Sequence, residues 1–397
     1  MQEVLFPETV PLAFKEDLEQ RLFYLSEHID DFRLIVGAAG VDGVSVRLGQ
    51  QNAASATEVK EKILTAGASY KHRRRPVKAE RIWANTSATN YQKDTFAQMC
   101  RRGLAFQTAP GLVAVSEPVM ALTNYFDAEL TTLVKRSFAA VEYLYPTLIS
   151  SEVMRRSGYL RSFPQLMMFV TRLHRDAHAY HMVASTEQDA GYNRHYRDAD
   201  LCLPPTMCYH VYQQHAAAAF PFQPGRVVTA KGKAFRFESK YEKNLERLWD
   251  FTIREIVFLG TASFVAEQRR RLMQEVFALF EEWRLTGYCE TANDPFFVQD
   301  GQTNNGFMQR LMALKYELRL NRDDCATMAV ASFNLHNDFF GRAFNILQPD
   351  GQHIRSACAG FGLERLVFAF LCQHGFEPAG WPEAVRARIT MKEDKRC

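Results

Sequence analysis

The chain has 397 residues, enough for two domains or one large domain with an appendage, and its 47% apolar and 12% aromatic shares describe a globular protein with a filled core. A formal net charge of +3 is too small to argue a nucleic-acid surface from composition. No apolar run approaches the ~20 residues of a membrane span, so no membrane association is expected.

At the N-terminus, Met1 to Phe6 shows no basic segment leading into an apolar one, so no export signal is expected and the setting is read as cytoplasmic. The eight cysteines (Cys100, Cys202, Cys208, Cys289, Cys325, Cys358, Cys372 and Cys397) have no repeating spacing. In a reducing compartment most should be small buried hydrophobes rather than a disulfide framework. Leu18, Leu22, Leu25 and Ile29 recur at helical intervals and predict a helix over 12–39, ended by the glycines at 37 and 40. Val44, Val46 and Leu48 alternate as a strand does, and a second helix is expected over 57–66. His72 to Arg81 is the most concentrated basic run, with Arg73, Arg74, Arg75, Lys78 and Arg81. It reads either as a solvated loop or as a patch for an acidic partner. Leu112 to Val115 closes this region, which places a domain boundary near residue 115: a smaller α/β N-terminal region over 1–115 and a larger domain over 116–397.

Leu122, Phe126, Leu130, Leu133 and Val134 predict a helix over 120–145, ended at Tyr145-Pro146 by the restriction that proline imposes on its predecessor. Residues 203–212 read as a turn followed by a strand. The apolar run from Ile256 looks like a buried strand end, and 266–285 is an amphipathic helix. Asn293-Asp294-Pro295 is turn chemistry; 313–320 and 328–336 read as strands. Leu363, Leu366, Val367, Phe370 and Leu371 form the stripe of a buried helix. The whole is an α+β pattern on a mostly antiparallel sheet flanked by helices.

The segment from Phe235 to Glu255 concentrates chemistry. It reads as a β-hairpin with Arg236 and Glu238 on one arm and Arg247, Trp249, Phe251, Ile253 and Glu255 sharing a face of the other by the two-residue period. Two arginines, a ring and two carboxylates on one sheet surface suit a nucleotide better than a core. A guanidinium forks onto phosphate, a carboxylate accepts from an exocyclic amine, and a ring stacks on a base. Arg365 falls in the first turn of the helix after Gly360-Phe361-Gly362, where free N–H groups favour a polyphosphate. Position 365 is Arg where a dinucleotide fingerprint needs Gly, which excludes that reading.

Phe235-Arg236-Phe237-Glu238, then Arg247-Leu248-Trp249-Asp250-Phe251, and Gly360 to Arg365 together resemble the second and third motifs of class II aminoacyl-tRNA synthetases. Tyr145-Pro146 is similar to the proline that ends their first-motif helix, which builds a homodimer. The resemblance covers residues 116–397. It implies Arg236 on the α-phosphate of ATP, Glu238 reading adenine, Phe251 stacking on the base, Arg247 nearby and Arg365 on the far phosphates. Arg236 and Arg365 would be catalytic, with Mg²⁺ arriving with ATP.

Cys208, Glu255 and Cys358 supply two thiolates and a carboxylate, three ligands that leave one zinc position open. Their settings resemble the zinc site of methanogen-type seryl-tRNA synthetases and of their truncated relatives, the amino acid:[carrier protein] ligases. There the open position takes the α-amine of the substrate, which excludes anything lacking a free amine, and by the same resemblance bulky groups near the metal are rejected, favouring a small amino acid. By the same resemblance Ser332 and Asn334, on one face of a strand with His336, would line the amino-acid pocket. Lys315 and Glu317 alternate on a strand and are either structural or Mg²⁺-related.

The two relatives differ in acceptor. The N-terminal region is longer than expected of the short ligases and smaller than a tRNA-binding domain, while the near-neutral charge favours a carrier protein over tRNA. The expected function is therefore ATP-dependent activation of a small amino acid and its transfer to a carrier-protein phosphopantetheine thiol. The alternatives are a zinc-dependent seryl-tRNA synthetase and a catalytically inactive paralogue with a regulatory role. Retention of Arg236, Arg247 and Arg365 argues against the last.

Overall fold

The computed structural model describes residues 1–49, 53–71, 78–87, 89–185, 192–238, 243–292 and 313–393. Arg73–Arg75, Asn293-Asp294-Pro295 and Cys397 lie outside them. The chain divides into two compact units, one built mainly on Met1–Glu80, the other on Arg81–Glu238, Lys243–Glu290 and the chain from Tyr316 onward.

In the first unit, strands β1 (Gln2–Pro11), β2 (Ile29–Val36) and β3 (Gly40–Leu48) form an antiparallel sheet in the order β1-β3-β2. The helices Lys15–Leu22 and Ala53–Ala68 complete it, and Val4, Phe6, Leu18, Leu22, Val44, Val59 and Ile63 share one core. The helix expected over 12–39 is thus only its first third. Beyond Leu25 the segment pairs with β3, where Phe32 lies opposite Val46 and Leu34 opposite Val44. A long-range partner outweighs a local helical spacing there.

The second unit carries β4 (Arg81–Asn85), the hairpin β5 (Ala105–Ala109) and β6 (Leu112–Val115), and β7 (Val141–Tyr143). A small sheet follows, β8 (Ile149–Ser150), β9 (Met168–Leu173) and β10 (Tyr196–Leu203). Then come β11 (Gly225–Phe235), β12 (Asp250–Gly260), β13 (Gly287–Thr291), β14 (Lys315–Asn321), β15 (Thr327–Asn337) and β16 (Arg355–Gly362). The main sheet has the order β4-β13-β14-β15-β16-β12-β11-β7 and is mostly antiparallel, with β7 parallel to β11. Contacts part at Glu80/Arg81 rather than near residue 115 because β4 pairs with β13, at the far edge of this sheet.

One face of the sheet is covered by the helices Val119–Phe138, Ala262–Glu282 and Leu363–His374. Their core is aromatic: the Phe126 ring lies 4.7 Å from Trp283 and 5.4 Å from Phe370. Thr261 caps the second helix through its hydroxyl, which accepts from the Phe264 N–H at 3.3 Å. The first ends at Phe138, not at Tyr145-Pro146. Ala139 takes a left-handed conformation (φ 49°), sends its N–H back to Val134, and releases Val141–Tyr143 to pair with β11. The opposite face, free of these helices, carries the candidate site. Among the described residues no helix is long and apolar enough to cross a membrane.

Candidate functional site

Strands β11 and β12 pair in continuous register from Gly225↔Gly260 to Phe235↔Asp250. Arg236 and Glu238 therefore stand just past one strand end, and Arg247 and Trp249 just ahead of the other. They do not share the strand face that the alternation predicts. Backbone pairing stops after Arg236 N–H donates to Trp249 O, because the next N–H, of Phe237, turns to Leu166 O. Only Phe251, Ile253 and Glu255 keep the two-residue period.

The loop nevertheless brings the predicted group together. Arg247 Nη1 donates to Glu238 Oε2 at 2.9 Å, and the Arg236 guanidinium lies 5.4 Å from the centre of the Phe251 ring. Arg236 Nε is held by Pro205 O at 3.2 Å and Arg365 Nη1 by Ala329 O at 3.1 Å. Burial, together with Arg247 and Arg236 close by, draws the Arg365 guanidinium down to about 10. Burial alone would raise the Glu238 carboxyl, but Arg247, Arg236 and Arg365 outweigh it and hold it below its ordinary value. Three cations converging around one carboxylate carry surplus positive charge, which is the demand of a polyphosphate.

Two contacts fix this group. Both oxygens of the half-buried Glu364 accept the Thr252 N–H at 2.8 Å, tying the helix that carries Arg365 to β12. At the turn of the β5–β6 hairpin, Gly111 O accepts the Trp249 N–H at 2.8 Å while the Trp249 ring covers the glycine. Gly111 has φ +69°, and a Cβ there would come within 2.4 Å of that ring.

Cys208, Glu255 and Cys358 meet as expected: one ligand atom from each lies within 4.8 Å of the others, and all three residues are buried. Cys208 arrives differently from the expectation. It opens the helix Cys208–Gln214 rather than a strand. No period announced it, since all five residues from Cys208 to Tyr212 are buried. Met207, just ahead of it, packs on Gly232, where a Cβ would sit 2.2 Å from its sulfur. Glu255 Oε2 accepts from the Thr206 hydroxyl and from the N–H groups of Met207 (2.8 Å) and Cys208 (3.0 Å). One carboxylate oxygen thus holds the helix start and the other is left for a ligand.

The acid–base character of the three fits a cation. Burial first, then Cys358, pushes the Glu255 carboxyl up to about 8. Burial raises the Cys208 thiol, whereas the Cys358 sulfur, receiving a hydrogen bond from Cys208, is drawn down. Three acidic groups crowded in a dry site resist ionising together. A divalent ion would offset that repulsion, and two sulfurs with a carboxylate oxygen are the donors zinc takes.

Strand β15 supplies the next wall. Gly360 of β16 lies opposite both Glu255 and Ser332, and Cys358 lies opposite both Val257 and Asn334. Asn334 Nδ2 reaches Cys358 Sγ at 3.6 Å and Ser332 Oγ at 3.2 Å. Ser332 and Asn334 therefore flank the ligand group. His336, the third polar residue of that face and one to which the sequence assigned no role, also touches it, with Nε2 3.8 Å from Cys358 Sγ.

On the other face of β12 lies an ion cluster, centred on the buried Arg254 and Asp127, that no motif announced. Arg254 donates to Asp127 through Nε (2.7 Å) and Nη2 (3.0 Å) and to Glu142 at 2.9 Å, and Lys231 adds a 3.1 Å pair to Asp127. These residues line a cavity of about 540 Å³ beside β7.

No protein-family model matches the chain. It is 33% identical over 255 residues to amino acid–[acyl-carrier-protein] ligase 2 of Bradyrhizobium diazoefficiens, covering 64% of this chain and 75% of that protein. It is 27% identical over 265 residues to the type-2 serine–tRNA ligase of Methanothermobacter thermautotrophicus, covering 64% of this chain but only 52% of that longer protein. Among solved structures, the M. kandleri seryl-tRNA synthetase in complex with A. aeolicus tRNASec matches with a TM-score of 0.71 at 22% identity, over 93% of this chain and 75% of that one. At that identity the likeness speaks for the fold, which is that of the class II synthetases.

Proposed function

Because the chain belongs to the amino acid–[acyl-carrier-protein] ligase family, we propose that it activates a small amino acid with ATP as the aminoacyl-adenylate and passes the acyl group to the phosphopantetheine thiol of a carrier protein. The observation that carries the reading is β12. Phe251, in the cation group, and Glu255, in the sulfur–carboxylate group, lie on one strand face on either side of Ile253. At strand rise they are on the order of 13 Å apart. A base at one end and an amino group at the other suit a single adenylate laid along the strand.

In the first step a carboxylate oxygen of the amino acid attacks the α-phosphorus in line and pyrophosphate leaves. Arg236 takes the α-phosphate and Arg365 the departing phosphates, so that charge developing at phosphorus meets fixed cations. Glu238, held ionised by Arg247, accepts from the adenine amine, and Phe251 stacks on the base. Magnesium enters with ATP. Cys208, Glu255 and Cys358 would hold zinc, which when bound supplies a Lewis-acid position for the substrate α-amine. Ser332 and Asn334 line the space beside it and orient the small side chain. In the second step the carrier thiol attacks the acyl carbon, forming a thioester as AMP leaves.

Residues 116–397, with strands β4 to β6 of the same unit, are assigned the catalytic work and residues 1–80 an accessory role. A homodimer is supported by β7, an edge of the sheet among the described residues, beside which Val141, Leu144 and Leu148 are exposed. The tRNA reading is the weaker one, because the carrier-ligase relative matches at higher identity over more of its own length.

Amino-acid-dependent exchange of pyrophosphate into ATP tests activation; no exchange with glycine, alanine or serine would sink the small-substrate reading. Loading assays on a phosphopantetheinylated carrier beside bulk tRNA decide the acceptor, with acylation of the carrier alone expected.

A further inference from the structure

The ring of His336 is held on three sides. Nε2 points at Cys358 Sγ (3.8 Å) and Nδ1 at the Tyr212 hydroxyl (3.2 Å), with Ser356 Oγ 3.5 Å away. Tyr212 is fully buried and stacks on Phe340 with centroids 4.2 Å apart, and Phe340 meets the His336 ring edge-on at 4.8 Å. Such packing leaves the imidazole one orientation. The two nitrogens then face unlike partners. A thiolate can only accept, so the nitrogen facing it must carry the proton, and the other must accept from a hydroxyl.

We propose that His336 is a positioning residue of the metal centre: it donates its Nε2 proton to the Cys358 sulfur, with the Tyr212 hydroxyl selecting that tautomer. This rests on the reading of Cys208, Glu255 and Cys358 as ligands. Asn334 Nδ2 makes a second, parallel contact to the same sulfur. Cys358 is therefore the more heavily hydrogen-bonded of the two sulfurs and gives up less electron density to a bound ion. That leaves the ion more electrophilic toward an amine, and it orients the sulfur before any ion arrives.

The test compares full-length wild type with His336→Leu, His336→Gln and Tyr212→Phe by zinc competition against a chromogenic chelator and by the sulfur-to-cobalt charge-transfer band of the Co²⁺ form. His336→Leu is expected to weaken metal binding by about 10- to 100-fold and to move the band to lower energy, as a thiolate relieved of a hydrogen bond becomes the better electron donor. Glutamine, whose side-chain amide N–H extends to a similar reach, is expected to restore most of both. Tyr212→Phe, which keeps the stack on Phe340, should shift the band part of the way. In the same variants KM for the amino acid rises while KM for ATP stays within about twofold. Wild-type affinity and band position in His336→Leu, under conditions where Cys358→Ser loses both, would overturn the proposal. Should His336→Leu fail to fold, an unshifted band in Tyr212→Phe overturns it instead. Wild type that takes up no stoichiometric zinc or cobalt overturns the ligand-set reading itself, a result distinct from either.

Discussion

Glu238 shows how one side chain is made useful by its neighbours. It is buried, yet three guanidinium groups keep its carboxyl ionised below the ordinary carboxylate range. A folded-state value lower than the unfolded one means that its contribution is fully present above the ordinary carboxylate pKa of ~4.3 and is lost as pH falls through the folded value. Glu238→Gln is therefore expected to lower stability at pH 7 by about 2 kcal/mol, with the gap from wild type closing in acid. Urea unfolding across pH measures this; a gap that is constant with pH would show that the carboxylate charge is not responsible. Arg236, Glu238, Phe251 and Arg365 could be singled out as candidates because each belongs to a short contiguous motif. His336 could not: its significance is a contact to Cys358 and another to Tyr212, residues 22 and 124 positions away in the chain.

At the scale of elements, the loop between β11 and β12 depends on a piece of chain far from it in sequence. The β5–β6 turn seats Trp249 through Gly111, whose backbone conformation and closeness to the ring both exclude a Cβ. Gly111→Ala should cost about 1–2 kcal/mol from the left-handed backbone alone, before the clash with the ring. Because Arg236 N–H is anchored on Trp249 O, the displaced ring carries the cation group with it, and KM for ATP is expected to rise several-fold with little change in KM for the amino acid. Steady-state kinetics with each substrate varied in turn would show it. The end of strand β12, strand β15 and the helix from Leu363 followed from periodicity, whereas β16, a run of small residues with no alternation, did not. The segment at Cys208 and the end of the helix from Val119 did not. A seven-residue segment buried at its first five positions satisfies either period, and Ala139 carries no local sign of its left-handed conformation.

For the whole molecule, assembly turns on β7, which ends the eight-stranded sheet among the described residues and has Leu144, 91% exposed, immediately beside it. Leu144→Asp should weaken self-association by about 100-fold, or ~3 kcal/mol, without lowering the thermal midpoint; sedimentation equilibrium tests this. That β4 completes the opposite edge was beyond local reading, because its partner β13 lies some 200 residues on (Asn85 opposite Gly287). The centre of the sheet carries its own safeguard. Arg254 and Glu255 are adjacent, buried and on opposite faces, one among the carboxylates Asp127 and Glu142, the other beside two thiols. A slip of β12 by a single residue would exchange them, setting Glu255 against two like charges and driving a guanidinium into the sulfur site. Misaligned sheets are thus penalised on both faces at once, and a chain that forms its central pairing at all forms it in the register that assembles the site.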